Sequence, residues 1–251
     1  MKIFQMALVL LWRVWFGLIN IFLVILWGGG SIPFLFSERH YRIAYWFHRM
    51  WGRSNLFLMG FRYELEKEEP LDKNQPYIII SNHTSVIDIM LIYVLMKDHP
   101  LVFVGKAELG RLPLFGYIYG KNNILVDRKS KISRMQVFKE AQKKIVTGRS
   151  ICIFPEGGVP DRSVFLAPFK DGAFSIAIDQ QIPILAFTIE GMKRRFPHEL
   201  TQGCPGKIRI KQHRIISTKG LTIKDKDSLK KQCYDLIQSQ LEAFEREKRT
   251  S

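Results

Sequence analysis

Residues 77–90 read YIIISNHTSVIDIM. Tyr77-Ile78-Ile79-Ile80 is a short uncharged run rich in β-branched residues, the composition of a strand buried on both faces. It gives way at once to Ser81, Asn82, His83, Thr84 and Ser85, and then to an apolar stretch, Val86 to Met90, that holds one carboxylate, Asp88. Working outward, the same alternation of short apolar runs and longer helical ones continues along the chain. Strands are expected at Phe61–Glu66, Tyr77–Ser81, Leu101–Val104, Asn123–Val126, Ile151–Phe154, Pro183–Ile189 and Lys207–Ile216. Helices are expected at Val86–Met96, Gly110–Tyr119, Ser130–Thr147, Asp171–Gln180 and Lys224–Lys248. This pattern predicts an α/β fold with a mostly parallel, mixed sheet covered by helices on both faces. In such sheets chemistry gathers beyond the carboxyl ends of the strands, where Ser81-Asn82-His83 and Pro155-Glu156-Gly157-Gly158 both fall.

A capping box in which Ser85 caps a helix with Asp88 at its third position explains part of the decapeptide from Ser81. Asn82 and His83 are left over, since a plain turn at a strand end favours Gly or Pro. His83 and Asp88 are five residues apart, too far round a helix to meet if both were helical. His83 must therefore lie in the preceding loop, free to fold back on Asp88. The carboxylate then accepts a proton from one ring nitrogen, and the other nitrogen is left as a base toward a hydroxyl. No GxSxG-type nucleophile is present, so that hydroxyl belongs to a substrate.

The 251 residues suffice for one large α/β domain with an appended element. Lys and Arg number 38 against 23 Asp and Glu, a formal charge of +15, which draws nucleic acid, anionic headgroups or phosphorylated substrates. Nucleic acid is disfavoured because the basic residues do not interleave with aromatics and no DNA- or RNA-reading motif occurs. Cys152, Cys204 and Cys233 form no CxxC pair and no Cys/His cluster, which argues against a disulfide framework or structural metal site.

From Ile3 to Phe36 Arg13 is the single charged residue, and Trp12, Trp15 and Trp27 are aromatics of the kind enriched at bilayer interfaces. Residues 1–58 are expected to form a membrane-associated helical hairpin, turned at Gly28-Gly29-Gly30 and Pro33, with Arg39, Arg42, Arg49 and Arg53 of the second arm among the headgroups. Residues 59–251 are expected to form the catalytic domain. The other histidines, His40, His48, His99, His198 and His213, are expected at surfaces or interfaces.

Asn82-His83-x4-Asp88 resembles the first motif of the glycerolipid acyltransferases, the family of the PlsC-type 1-acyl-sn-glycerol-3-phosphate (lysophosphatidic acid) acyltransferases. Further blocks follow in that family's order between Tyr77 and Gly191. Gly105-Lys106-Ala107-Glu108-Leu109, continuing through Pro113 to Val126-Asp127-Arg128, is similar to its second segment. Phe154-Pro155-Glu156-Gly157-Gly158 is similar to its F-P-E-G-T-R-S, but with Gly158 for Thr and Val159 for Arg; the nearest Arg is Arg162. Gln181–Phe187 resembles its last apolar block and is expected beside the acyl-chain site.

The resemblance implies a glycerol-3-phosphate acyltransferase-like fold and transfer of a fatty acyl group to the sn-2 hydroxyl of lysophosphatidic acid. The donor is an acyl thioester of coenzyme A or acyl carrier protein, with no bound cofactor and no metal. His83 is then the general base and Asp88 its orienting partner. Asn82 is expected to bind substrate or oxyanion, Lys106, Arg128 and Arg162 the phosphate, and Glu156, Gly157 and Gly158 the glycerol headgroup. Val159 keeps another lysolipid, such as a lyso-aminolipid, as the rival acceptor, and a non-catalytic membrane-binding protein is the remote one. Both lipid substrates place the enzyme at the membrane, on the cytoplasmic face of the inner membrane.

Overall fold

Ile78–Ser81 forms a strand in which every residue is buried, as its uncharged β-branched composition requires. The computed structural model describes residues 2–127 and 129–250, excluding the side chains of Lys2, Lys131, Arg134 and Thr250. Seven strands make one sheet: β1 (Phe61–Lys67), β2 (Ile78–Ser81), β3 (Leu101–Lys106), β4 (Ile124–Val126), β5 (Ser150–Ile153), β6 (Ile184–Glu190) and β7 (Gly206–Gln212), in the order β1-β7-β6-β2-β5-β3-β4. Only β6 and β7 pair antiparallel; the remaining neighbours are parallel. All the expected strands are present, and β2 and β6, buried at alternate and intervening positions alike, are covered on both faces. Because β2 lies between β5 and β6, the loop that follows it is flanked by the ends of both. That crowding positions the site.

The helices are α1 (Lys2–Leu23), α2 (Tyr41–Leu58), α3 (Ile87–Leu95), α4 (Phe115–Asn122), α5 (Lys131–Val146), α6 (Gly172–Asp179), α7 (Met192–Arg195) and α8 (Lys226–Thr250). The helix expected at Gly110–Tyr119 is displaced. A 3-10 turn occupies Ala107–Arg111, Leu114 takes a positive φ of 54°, and α4 starts only at Phe115. Pro113 explains the break, since it has no amide N–H to continue a helix. Strand β7 stops at Gln212, four residues short of the expected end, and Ile216 returns as a single bridge to Ile184.

The glycine triplet at residues 28–30 does not turn the chain. Helical structure runs on through a π segment (Val24–Gly28), Gly29–Ser31 and a 3-10 turn (Ile32–Phe34). The glycines serve close packing instead: a Cβ on Gly28 would lie 2.9 Å from Ile118, and one on Gly30 2.6 Å from Phe47.

Ile3–Phe34 is long and apolar enough to cross a membrane, with a mean hydropathy of 2.2 and only 17% of its most apolar window buried. Leu18, Ile21, Phe22 and Ile25 face outward, each about 60% exposed. Arg13, awkward at mid-depth in a bilayer, is absorbed by the domain. Its Nη2 donates to the carbonyls of Pro197 (2.8 Å), Glu199 (3.1 Å) and Gln202 (2.7 Å), and the guanidinium lies 3.8 Å over the Phe196 ring. Trp12 packs edge-on against Phe61 and Phe196, and Trp27 against Trp46. Trp15 stays half exposed.

The second arm is built into the core. Tyr41 donates its hydroxyl to Leu101 O (2.6 Å) and Tyr45 to Met96 O (2.9 Å), while Gly52 lies so close to Met90 that a Cβ would stand 2.8 Å from its carbonyl. Residue 58 therefore marks no seam in the packing, and α2 belongs to the same hydrophobic core as the sheet.

Candidate active site

Ser81-Asn82-His83 emerges from β2 and is caught from both sides. Asn82 is 1% exposed; its Nδ2 donates to Ile189 O and its Oδ1 accepts from Ile189 N, both at 2.8 Å. This two-way amide bond pins the loop to β6. Asn82, expected as a substrate or oxyanion ligand, thus has its amide engaged by backbone. On the other side, Glu156 Oε1 accepts from His83 N at 2.6 Å and Oε2 from Ala167 N at 2.8 Å. Both carboxylate oxygens hold backbone, so Glu156 ties the loop after β2 to the loop after β5, where a glycerol contact was expected. Burial pushes its carboxyl above the usual value, and the two N–H donors pull it partly back.

His83 itself is turned toward α3. Its Nδ1 lies 3.0 Å from Asp88 Oδ2, and the same oxygen accepts from Thr84 N (2.7 Å) and Ser85 N (2.9 Å). Here the polar residue inside the apolar helix finds its reason. Asp88, fully buried, gathers two loop amides and one imidazole at a single oxygen. The capping box is modified: the acid reaches back to Ser85 N, while the Ser85 hydroxyl accepts from Ile87 N at 3.3 Å rather than from Asp88 N, and donates to Phe196 O at 2.8 Å. The imidazole also stacks on Phe154, 3.9 Å between centroids and 13° between planes. The ring is fixed in its plane by that stack and in its rotation by Asp88. Among the described residues no side chain or carbonyl bonds Nε2, and the side chain keeps 13% exposure.

Among the recesses that adjoin this loop, two differ in character. One, about 620 Å³, is walled by Ile21 of α1, Val24 and Ile25 of the π segment after it, Trp51 of α2, Val86, the α3 residues Ile89, Met90 and Tyr93, and Leu112, Phe115 and Ile118. Its lining is predominantly apolar, and it runs from Val86, three residues beyond His83, along the length of α3. The second, about 220 Å³, is polar and includes Thr84, Val159, Arg162 and Lys193. Val159 and Arg162 both line this recess.

Lys193 opens the basic run Lys193-Arg194-Arg195. The turn made by Gly191, with φ of +102°, carries it back over the loop after β5, where its ammonium donates to Val164 O. Burial lowers its pKa. Nothing local in the sequence signals this, because the residues it meets are some thirty positions away.

The other expected ligands are dispersed. Lys106 closes β3 with its side chain exposed and lines neither recess. Arg128 lies outside the described residues. Gly157 has φ of +79°, and a Cβ there would sit 2.5 Å from Lys170 Nζ, so this turn needs glycine. Gly158 is half buried beside it. Three of the other histidines are core residues: His48, His99 and His213 are each under 10% exposed. His213 bonds Thr188 Oγ1 at 2.8 Å, and burial holds its imidazole down at about 4.

A family model described as Acyltransferase matches residues 62–190, which contain β2 to β6, all but the first residue of β1, and Asn82, His83, Asp88, Glu156 and Arg162. The chain belongs to the acyltransferase family. The Caenorhabditis elegans protein acl-1 is 33% identical over 196 residues, 76% of this chain and 72% of that protein. The 1-acyl-sn-glycerol-3-phosphate acyltransferase of Escherichia coli K12 is 34% identical over 158 residues, 62% of this chain and 63% of its own. Its human counterpart, the beta form, is 27% identical over 186 residues, 72% and 66% of the two chains. In fold, the crystal structure of the 1-acyl-sn-glycerophosphate acyltransferase PlsC of Thermotoga maritima matches with a TM-score of 0.77, covering 98% of both chains at 20% identity. The acyltransferase-like α/β architecture is that of this chain, and acyl transfer is its class of chemistry.

Proposed function

We propose that this acyltransferase moves a fatty acyl group from a coenzyme A or acyl carrier protein thioester to the sn-2 hydroxyl of lysophosphatidic acid, making phosphatidic acid. The reading is carried by the 3.0 Å contact between His83 Nδ1 and Asp88, which leaves Nε2 for the acceptor. Nε2 takes the hydroxyl proton as the oxygen attacks the thioester carbonyl and the new C–O bond forms. Collapse of the tetrahedral intermediate breaks the C–S bond, and the thiolate leaves with the proton returned by the imidazolium. Asp88, accepting a hydrogen bond from Nδ1–H, fixes the tautomer and stabilises the imidazolium. With Asn82 engaged by Ile189, backbone N–H groups of the loop are the remaining source of oxyanion stabilisation.

The apolar recess along α3 suits the acyl chain. One wall of it carries Ile21 and Ile25, which also stand about 60% exposed on the N-terminal helix, so a lipid chain passes from bilayer to recess without crossing water. That places the acyl chain between α1 and α3, away from Gln181–Phe187, whose strand β6 lies on the far side of β2 from β5. In this reading α1 attaches the enzyme to the cytoplasmic face of the membrane. Arg162 and Lys193 hold the acceptor's phosphate in the polar recess in place of the arginine absent at Val159.

The test is a panel of lysolipids, scored by product mass, with the Arg162→Ala/Lys193→Ala variant. Each charge-assisted hydrogen bond contributes about 1.5–3 kcal/mol, so the KM for lysophosphatidic acid rises at least ~10-fold while saturated turnover stays within about threefold. An equal loss toward an acceptor without a phosphomonoester removes both residues from the headgroup role. Product from lyso-aminolipids alone would replace the proposed acceptor.

A further inference from the structure

A second charged concavity lies at the opposite end of α3 from His83. Helix α3 spans nine residues, about 12 Å at 1.5 Å per residue, and the chain then enters the loop before β3. Arg42, Trp46 and Arg49 share one stripe of α2, at spacings of four and three residues. Together with Lys73 from the loop before β2 and Lys97 and Asp98 from the loop before β3, they line a recess of about 500 Å³.

Four cations face this recess against one carboxylate. Lys97 reaches Asp98 only at 3.9 Å; among the described residues Arg42, Arg49 and Lys73 form no ion pair, and the buried Nε of Arg49 has no hydrogen-bond partner. Like charges round a concave, partly desolvated wall repel one another and focus a positive potential into the space between them. An anion seated there relieves that repulsion.

The rim says which anion. Trp46 is 45% exposed at the lip, and its ring meets Trp27 at 5.8 Å, edge-on. From Trp27 the exposed apolar surface continues onto Ile25 and Leu26, 58% and 47% exposed. A cationic recess, an amphipathic aromatic at its edge and an uncovered apolar helix beyond it reproduce in order the headgroup, interface and hydrocarbon layers of a lipid leaflet.

We propose that this recess binds the phosphate headgroup of an anionic phospholipid, at a site separate from the catalytic one, and so sets how the enzyme sits on its membrane. The proposal rests on α1 meeting a bilayer and is independent of the acyl-transfer reading. A soluble phosphate has the same charge but gains nothing from Trp46 and the apolar rim.

The full chain, solubilised in neutral detergent, is titrated with dihexanoyl phosphatidylglycerol, dihexanoyl phosphatidylcholine and inorganic phosphate, with binding read by calorimetry. Phosphatidylglycerol is expected to bind at least tenfold more tightly than either of the others. Each cation near a lipid surface contributes about fivefold in affinity, so Arg42→Gln with Lys73→Gln weakens phosphatidylglycerol about 25-fold. Lys73→Gln alone, at an exposed loop side chain, gives the fivefold step if the double variant does not fold. His83→Ala binds phosphatidylglycerol unchanged, which separates this site from the catalytic reading. Phosphatidylcholine or inorganic phosphate binding as tightly as phosphatidylglycerol, or unaltered affinity in both charge variants, overturns the proposal.

Discussion

The loop after β2 and the loop after β5 present the same kind of sequence, polar residues and glycines at the end of a buried strand, yet they do different work. In the first, His83 keeps one nitrogen without a protein partner and some exposure, while Asp88 behind it is fully buried. In the second, Glu156 has each carboxylate oxygen on a backbone amide and is 7% exposed. Position in a motif alone therefore does not separate the two: we propose His83 as the reactant because its Nε2 meets no donor or acceptor among the described residues, and Glu156 as scaffold because both its oxygens already hold backbone amides.

The largest effect that sharpens this contrast is Asp88→Asn. The side chain keeps its size, and its oxygen can still accept from the loop amides and from Nδ1–H at the shared position, but it loses the negative charge that stabilises the imidazolium; turnover should fall at least about 100-fold, with the unfolding midpoint little changed. A loss below tenfold would take the Asp88 charge out of the mechanism. Next comes Glu156→Gln. One of the two amides, His83 N or Ala167 N, must then face an NH2 group, and leaving a buried donor unpaired costs about 1–3 kcal/mol. Thermal unfolding should show the drop in stability together with a fall in turnover, because the loop that carries His83 is loosened. A variant as stable as the parent but unable to use its acceptor would return Glu156 to the substrate-binding role expected from sequence.

Much of this is legible in the sequence. Strands β2 to β6 follow from short apolar runs, and the placing of His83 in the loop before Asp88 follows from the impossibility of bringing them together on one helix. What escaped depends on contacts distant in sequence. The Asn82–Ile189 amide pair joins residues 107 positions apart and the His83–Glu156 bond residues 73 apart, so their occupation by backbone leaves no local trace. Gly28 and Gly30 look like a turn because glycine permits one, whereas their role is set by Ile118 and Phe47 arriving from elsewhere. His213 looks like a surface histidine in the polar run Lys211–Arg214, but it sits at the buried end of β7 against Thr188. Arg13 is the single charge in the apolar N-terminal run, and its three acceptors, the carbonyls of Pro197, Glu199 and Gln202, come from far along the chain.

The central claim is that the His83 imidazole, aimed by Asp88, takes the proton from the acceptor hydroxyl. It is tested most directly by acyl transfer from a labelled thioester to lysophosphatidic acid in membranes carrying His83→Ala. Product formation at least about 10³-fold below the parent, with the protein still folded and membrane-bound, is the result this account predicts. Turnover within tenfold of the parent would contradict it.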